Sequence, residues 1–318
     1  MGQCHGFLRQ RARKGFTWAG VAYFHGVNTS LPLQLVDCPR DAIQGWPHPI
    51  TTEDKLAYFR TLLRVGFDWL DLGSFVSPRA VPAMADTAKV LQQLEEEAIW
   101  DQTATKALVI VANERGIRDA VEFDSVSALG FPFSISPTFQ ERNTRADQAE
   151  ALRRLEVAAN TCAQRGKDLV VYLSMGFGNP YGDAWAVADT VSWGDRLLEA
   201  FDPAVISVAD TVGMASSAQV KEVFDHCVPR WGQSRVGAHL HMNPLEGMQK
   251  VEAAHEAGCL RFDGAIRGVG GCPMAQDDLV GNAPTERLVE WAEGLSLWKV
   301  KSAQALDQAQ SLAADLFG

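Results

Sequence analysis

The chain has 318 residues, 47% of them hydrophobic, which suffices for a buried core in one large or two ordinary domains. Its 39 acidic against 29 basic residues give a formal charge of -10, and no basic cluster with interleaved aromatics follows the first fifteen residues, which excludes nucleic acid or an anionic membrane as the main partner. No apolar run approaches the ~18 residues of a membrane span, and six cysteines (Cys4, Cys38, Cys162, Cys227, Cys259, Cys272) without a CxxC pair indicate a reducing, cytoplasmic compartment.

Residues 1–30 carry Arg9, Arg11, Arg13 and Lys14 ahead of Phe16, Trp18, Tyr23 and Phe24, but Gly20, His25 and Gly26 break the apolar part, so the segment reads as a poorly ordered extension rather than a targeting peptide. From Leu31 onward short apolar runs alternate with amphipathic helical stretches. The runs predict strands at 33–38, 69–74, 108–112, 126–130, 169–174, 205–209, 236–240 and 261–266. The stretches predict helices at 52–65, 83–97, 145–165, 189–200, 216–227, 245–257 and 285–293, with Thr52, Ser216 and Thr285 as N-caps and Gly66, Gly166 and Gly258 as C-terminal stops. Eight strands with intervening helices, and no linker or repeat, predict a (β/α)8 TIM barrel over residues 31–296. A further C-terminal helix follows over 297–318, packing on the barrel or on a second subunit.

A barrel gathers its chemistry at the C-terminal ends of its strands. There the chain places Asp37-Cys38-Pro39-Arg40-Asp41-Ala42-Ile43-Gln44, then Asp71 and Ser74, then Asp210 and Thr211, then His239 and His241, then Cys272 and Asn282. Residues two apart on a strand face the same side, so His239 and His241 can meet one cation. Two imidazoles, a carboxylate and an amide oxygen make a mixed nitrogen and oxygen set suited to Mg2+, Mn2+, Co2+ or Zn2+. The tracts Phe131 to Ser136 and Ser174 to Gly182 follow the fourth and fifth strands and read as loops on the same face.

The tracts Pro39-Arg40-Asp41-x-x-Gln44, Ser74-Phe75-Val76-Ser77-Pro78 with Val81-Pro82-x-Met84-Ala85-Asp86, Asp210-Thr211-x-Gly213, His239-x-His241 and Gly270-Gly271-Cys272-Pro273 followed by Gly281-Asn282 resemble 3-hydroxy-3-methylglutaryl-CoA lyase, within the metal-dependent lyase-type TIM barrels. The resemblance spans about Leu33 to Leu295. It implies a divalent cation, Mg2+ or Mn2+, held by Asp41, His239, His241 and Asn282, and a retro-Claisen cleavage of a hydroxyacyl-CoA to acetyl-CoA and a keto acid such as acetoacetate. It assigns Arg40 to stabilising the thioester enolate and Cys272 to protonating it. Asp71 and Asp210 match acidic positions that orient ligands or shuttle the alcohol proton, with a supporting hydrogen-bond role as the alternative. Gln44, Ser74 and Thr211 are substrate-binding candidates. A homodimer is expected from the same resemblance.

Three departures bear on the substrate. Asp71 stands where these lyases carry Glu, Met242 follows the second His where they have Asp, and the loop from Cys272 to Asn282 is one residue longer. The shorter acid leaves room for a different acyl group, so a lyase for another hydroxyacyl substrate is one alternative. A Claisen-condensing synthase of the isopropylmalate or citramalate type is the other, though such enzymes differ after the eighth strand.

Overall fold

The computed structural model describes residues 31–243, 247–271 and 280–318. The expected extension at 1–30 therefore lies outside the described residues, as does Cys272. The elements run β1 (Gln34–Asp37), α1 (Pro39–Gln44), α2 (Thr52–Val65), β2 (Trp69–Ser74), α3 (Thr87–Glu96), β3 (Lys106–Ile110), α4 (Glu114–Ala120), β4 (Val126–Ser134), α5 (Pro137–Thr144), α6 (Gln148–Arg165), β5 (Asp168–Ser174), α7 (Val187–Phe201), β6 (Val205–Asp210), α8 (Ser217–Trp231), β7 (Val236–Leu240), α9 (Met248–Glu256), β8 (Arg261–Gly264), α10 (Thr285–Gly294) and α11 (Ala303–Phe317). Each strand pairs in parallel with the next, and β8 closes on β1 through Gln34↔Arg261 to Asp37↔Gly264. The fold is the expected (β/α)8 barrel with a helical C-terminal piece.

Alternation along the strands sorts the core into two layers. Val36, Cys38, Trp69, Leu108, Ile110, Ala128, Val170, Tyr172 and Val205 form one apolar cluster, the set that alternation turns toward the barrel axis. A larger cluster, including Leu35, Leu70, Val109, Leu129, Val171, Ile206 and Ala238, joins the sheet's outer face to the helices. The inward-facing series includes polar residues on several strands: Asp71 on β2, Ser207 on β6, His239 on β7 and Asp263 on β8, all buried. That polar layer underlies the site.

Several boundaries differ from the sequence expectation, each for a local reason. The α2 N-cap is Thr51, whose hydroxyl accepts from Asp54 N–H, so Thr52 is the first helical residue. At α10 the cap position is Pro284, and the Thr285 hydroxyl donates instead to Asp37. The helix expected from 145 starts at Gln148, capped by Asp147, and an unexpected helix precedes it: Ser136 caps α5, which Arg145 ends in the left-handed region at φ 52°. The stretch at 83–97 divides into a 3-10 turn at Pro82–Met84 and α3. Part of the expected loop after β4 is strand, because Phe131 to Ser134 stay paired with β5 through Ser134↔Ser174. Ser216 caps α8 as expected, and Gly66 and Gly166 take left-handed C-cap conformations. The tail is helical only from Ala303, capped by Ser302; Ala305, Ala309, Ala313 and Phe317 recur every fourth residue as its buried stripe, and the helix packs against α2.

Candidate active site

β1 ends at Asp37, and Pro39 at the first helical position starts α1 at once. That abrupt turn sets Arg40 and Asp41 over the barrel mouth, 6% and 5% exposed. Arg40 forks onto Asp71, with Nε 3.0 Å and Nη2 2.5 Å from Oδ2, and its Nη1 donates to Asp41 Oδ1 at 2.9 Å. A guanidinium has five N–H donors. One on each Nη is left after these bonds. Burial pushes the Asp71 carboxyl up to about 6 against the pull of Arg40, while the two acids hold Arg40 charged despite its own burial. Asp71 is fully buried behind the guanidinium, which it orients.

Asp41 collects three donors: Arg40 Nη1, Gln44 Nε2 at 2.7 Å on Oδ1, and Asn282 Nδ2 at 2.8 Å on Oδ2. Burial alone would raise its pKa, but Arg40, His241, His239 and Asn282 outweigh it and hold the carboxylate at about 2. Asn282 reaches this place because its backbone bridges His241, and its amide also donates to Val269 O at 2.9 Å. Gly270, at φ 115°, passes so close that an added Cβ would lie 2.5 Å from Asn282 Nδ2, so only glycine fits over this carboxylate-amide pair.

His239 is in β7 and His241 follows its last residue, yet both rings turn to the same side, with Nε2 atoms 3.1 Å apart. His239 Nδ1 faces Asp263 Oδ2 at 3.2 Å and His241 Nδ1 faces Val280 O at 2.8 Å. Both of those partners are acceptors, which assigns the proton on each ring to Nδ1. Two Nε2 lone pairs then meet head-on, an arrangement relieved only by a proton or a cation between them. Burial lowers both imidazole pKa values; at His239 the Asp263 carboxylate reverses this and the net direction is up, whereas at His241 burial and His239 together leave it down. Ligand atoms of Asp41, His239 and His241 all lie within 4.8 Å of one another. The donor set therefore fits a hard or borderline divalent cation.

The remaining expected residues are buried at the same end but engaged differently. Asp210 accepts from Lys250 Nζ at 2.7 Å and from Ala215 N–H at 3.2 Å. Thr211 accepts from Met175 N–H at 2.9 Å, tying the ends of β5 and β6 together. The Ser74 hydroxyl accepts from Val76 N–H at 3.4 Å. Sequence reasoning missed Lys250 and Asp263. Lys250 interrupts the apolar face of α9 beside Val251 and Ala254, and Arg261 and Asp263 put charges two apart on a fully buried strand; both patterns were available signals.

The HMGL-like family model matches residues 33–315, nearly the whole described chain. The chain belongs to the HMGL-like family. It is 31% identical over 259 residues to the hydroxymethylglutaryl-CoA lyase of Bacillus subtilis, covering 81% of this chain and 84% of that one. It is 28% identical to the (R)-citramalyl-CoA lyase of Chloroflexus aurantiacus, covering 83% and 84% of the two chains. An HMG-CoA lyase structure from Acinetobacter baumannii, in complex with coenzyme A and 3-methylmalate, superposes with a TM-score of 0.82 at 28% identity over 90% of this chain and 92% of that one. These relatives are carbon-carbon lyases of CoA thioesters, and the HMGL-like chain is an enzyme of that class. Among the described residues no helix is long and apolar enough to cross a membrane.

Proposed function

We propose that the chain cleaves 3-hydroxy-3-methylglutaryl-CoA, or a close hydroxyacyl thioester, to acetyl-CoA and acetoacetate or the corresponding keto acid. The observation that carries this reading is the pair of imidazole Nε2 atoms facing each other at 3.1 Å, beside Asp41 and below Arg40. Asp41, His239, His241 and Asn282 would hold Mg2+ or Mn2+, which supplies Lewis-acid acidification of the substrate's tertiary hydroxyl.

The residues divide the remaining work. In the cleavage the hydroxyl passes its proton to solvent water, its electron pair forms the ketone, and the bond to the methylene beside the thioester breaks, with water later restoring the proton that the Cys272 thiol gives to carbon. The pair moves onto the thioester as an enolate. Arg40, fixed by Asp71 and Asp41, turns its two remaining N–H groups to that oxygen, and a preorganised donor of this kind contributes about 3 to 4 kcal/mol. Cys272, in the Gly-rich tract after β8, returns a proton to carbon. Asp210 and Thr211 act from behind by holding the loops after β5 and β6, and Gln44 steadies Asp41. Ser74, the last residue of β2, would contact the substrate.

The citramalyl-CoA lyase relative and the short acid at Asp71 favour one second reading, a different acyl group in the same reaction. The test incubates purified protein and Mg2+ or Mn2+ with each thioester, before and after chelation, and assays acetyl-CoA and the keto acid. Metal-dependent cleavage of 3-hydroxy-3-methylglutaryl-CoA abolished by Arg40→Met supports the first reading. Cleavage confined to citramalyl-CoA supports the second, and no cleavage of either by folded, metal-loaded protein refutes both. A homodimer remains the expected assembly, to be read from light scattering.

A further inference from the structure

Asp263 lies in β8 directly across the sheet from His239, in register with it, and both side chains face the barrel axis. One carboxylate oxygen, Oδ2, accepts from the Ser207 hydroxyl at 3.1 Å and lies 3.2 Å from His239 Nδ1. The other, Oδ1, has no hydrogen-bond partner among the described residues; its nearest cation is Arg261 Nε at 4.0 Å. Arg261 is itself buried at 3% exposure, donates Nη1 to Gln34 at 3.4 Å and stacks over Trp69. A carboxylate oxygen accepts, so the ring nitrogen that faces Asp263 Oδ2 is the one that donates. Cys38 Sγ also lies within 4.8 Å of the His239 and Asp263 ligand atoms. A thiol there can donate a proton to a ring nitrogen, so without Asp263 nothing commits His239 to one tautomer.

We infer that Asp263 is a positioning residue: it holds His239 as the Nδ1–H tautomer and so turns the Nε2 lone pair toward His241 and Asp41, with Arg261 as its buried counter-charge. The inference rests on the proposed cation site. Carboxylate partners of ligating imidazoles act this way in general, and their loss weakens metal affinity about 10- to 100-fold.

The test reads the ring directly. Two-bond proton-nitrogen correlation spectra of metal-free protein at about pH 9, above the ordinary histidine range, are assigned by loss of the His239 signals in His239→Gln. Wild-type His239 is expected to show a protonated Nδ1 and a bare Nε2; a protonated Nε2 overturns the inference without any further variant. In the isosteric Asp263→Asn, whose amide can also donate to the ring, the tautomers should mix, and Mn2+ affinity followed by paramagnetic resonance should fall about 10- to 100-fold. Ser207→Ala should leave both readouts near wild type. Wild-type Mn2+ affinity in Asp263→Asn, or weaker affinity with an unchanged tautomer, refutes the positioning role. A wild-type protein that binds no Mn2+ but shows the expected tautomer refutes the cation site while the Asp263 to His239 assignment stands.

Discussion

Lys250→Met tests the least expected feature of the site. All three Nζ protons of Lys250 are used, on Asp210 Oδ2 at 2.7 Å, Gly213 O at 2.9 Å and His241 O at 3.2 Å, and the side chains of Lys250 and Asp210 are 11% and 1% exposed. Methionine fills nearly the same volume, so packing survives and the change is electrostatic. Asp210 is left as a buried carboxylate with Ala215 N–H as its only remaining donor among the described bonds. Removing one partner of a buried ion pair costs about 3 to 5 kcal/mol, most of it the stranded charge. The variant should therefore lose about 4 kcal/mol in guanidinium unfolding at neutral pH. Adding Asp210→Asn removes the stranded charge and should recover roughly half of that loss, so the coupling energy in the double-mutant cycle is that recovery of about 2 kcal/mol plus whatever Asp210→Asn costs alone. A single variant within about 1 kcal/mol of wild type, or a strictly additive cycle, would refute the claim that Asp210 depends on Lys250.

Three further outcomes follow from the same geometry. His241→Ala removes one of the two facing imidazoles and should abolish Mn2+ binding and cleavage together while circular dichroism stays native; stoichiometric retained metal would disprove the ligand assignment. Arg40→Met should cut turnover about 100- to 1,000-fold with substrate at saturation, and turnover near wild type would remove Arg40 from the chemistry. Burial, only partly offset by the Thr285 hydroxyl, pushes the Asp37 carboxyl up to about 7 from 3.8, and its Oδ2 has no hydrogen-bond partner among the described residues. The folded state therefore holds a proton that the unfolded state releases. Asp37 contributes stability that is full below about pH 4 and is lost as pH rises through about 7, with a slope of up to about 1.4 kcal/mol per unit. Asp37→Asn should flatten that part of the stability-pH curve and leave the protein more stable than wild type near pH 8; parallel curves would show that Asp37 does not titrate there.

The barrel was legible because each buried parallel strand is a short apolar run and each crossover helix carries an apolar stripe, so one-dimensional pattern matches three-dimensional burial. β2 and β7 fall where their runs predict, since Trp69 to Ser74 and Val236 to Leu240 are buried throughout. What failed was governed by single hydrogen bonds. Thr51 and Thr52 are chemically alike, and only the position of Asp54 N–H decides which one caps α2. Thr285 is an apt cap by type, but a buried Asp37 248 residues away in sequence takes its hydroxyl. The α5 helix was overlooked because the Phe131 to Ser136 tract before it looks like turn sequence, whereas pairing with β5 continues to Ser134 before the Ser136 cap starts the helix.

The site divides along the same line. Arg40, Asp41, His239 and His241 sit at fixed short spacings, and a strand end converts short spacing into shared direction, so their convergence could be read before any coordinates. The partners of Lys250 and Asp263 could not, because they lie 40 and 24 residues away and only the packing of neighbouring barrel units brings them within reach. A charge inside an apolar stripe or a buried strand violates the pattern that identifies the element, and the violation persists only where an opposite charge compensates it. Both violations here compensate residues at the strand-seven end: Asp263 holds His239 from below, and Lys250 holds the His241 carbonyl and Asp210 from the side. If that is their purpose, damage at either should register first in His239 tautomer or His241 placement. Loss of both readouts together only when the whole barrel unfolds would make them ordinary core ion pairs instead.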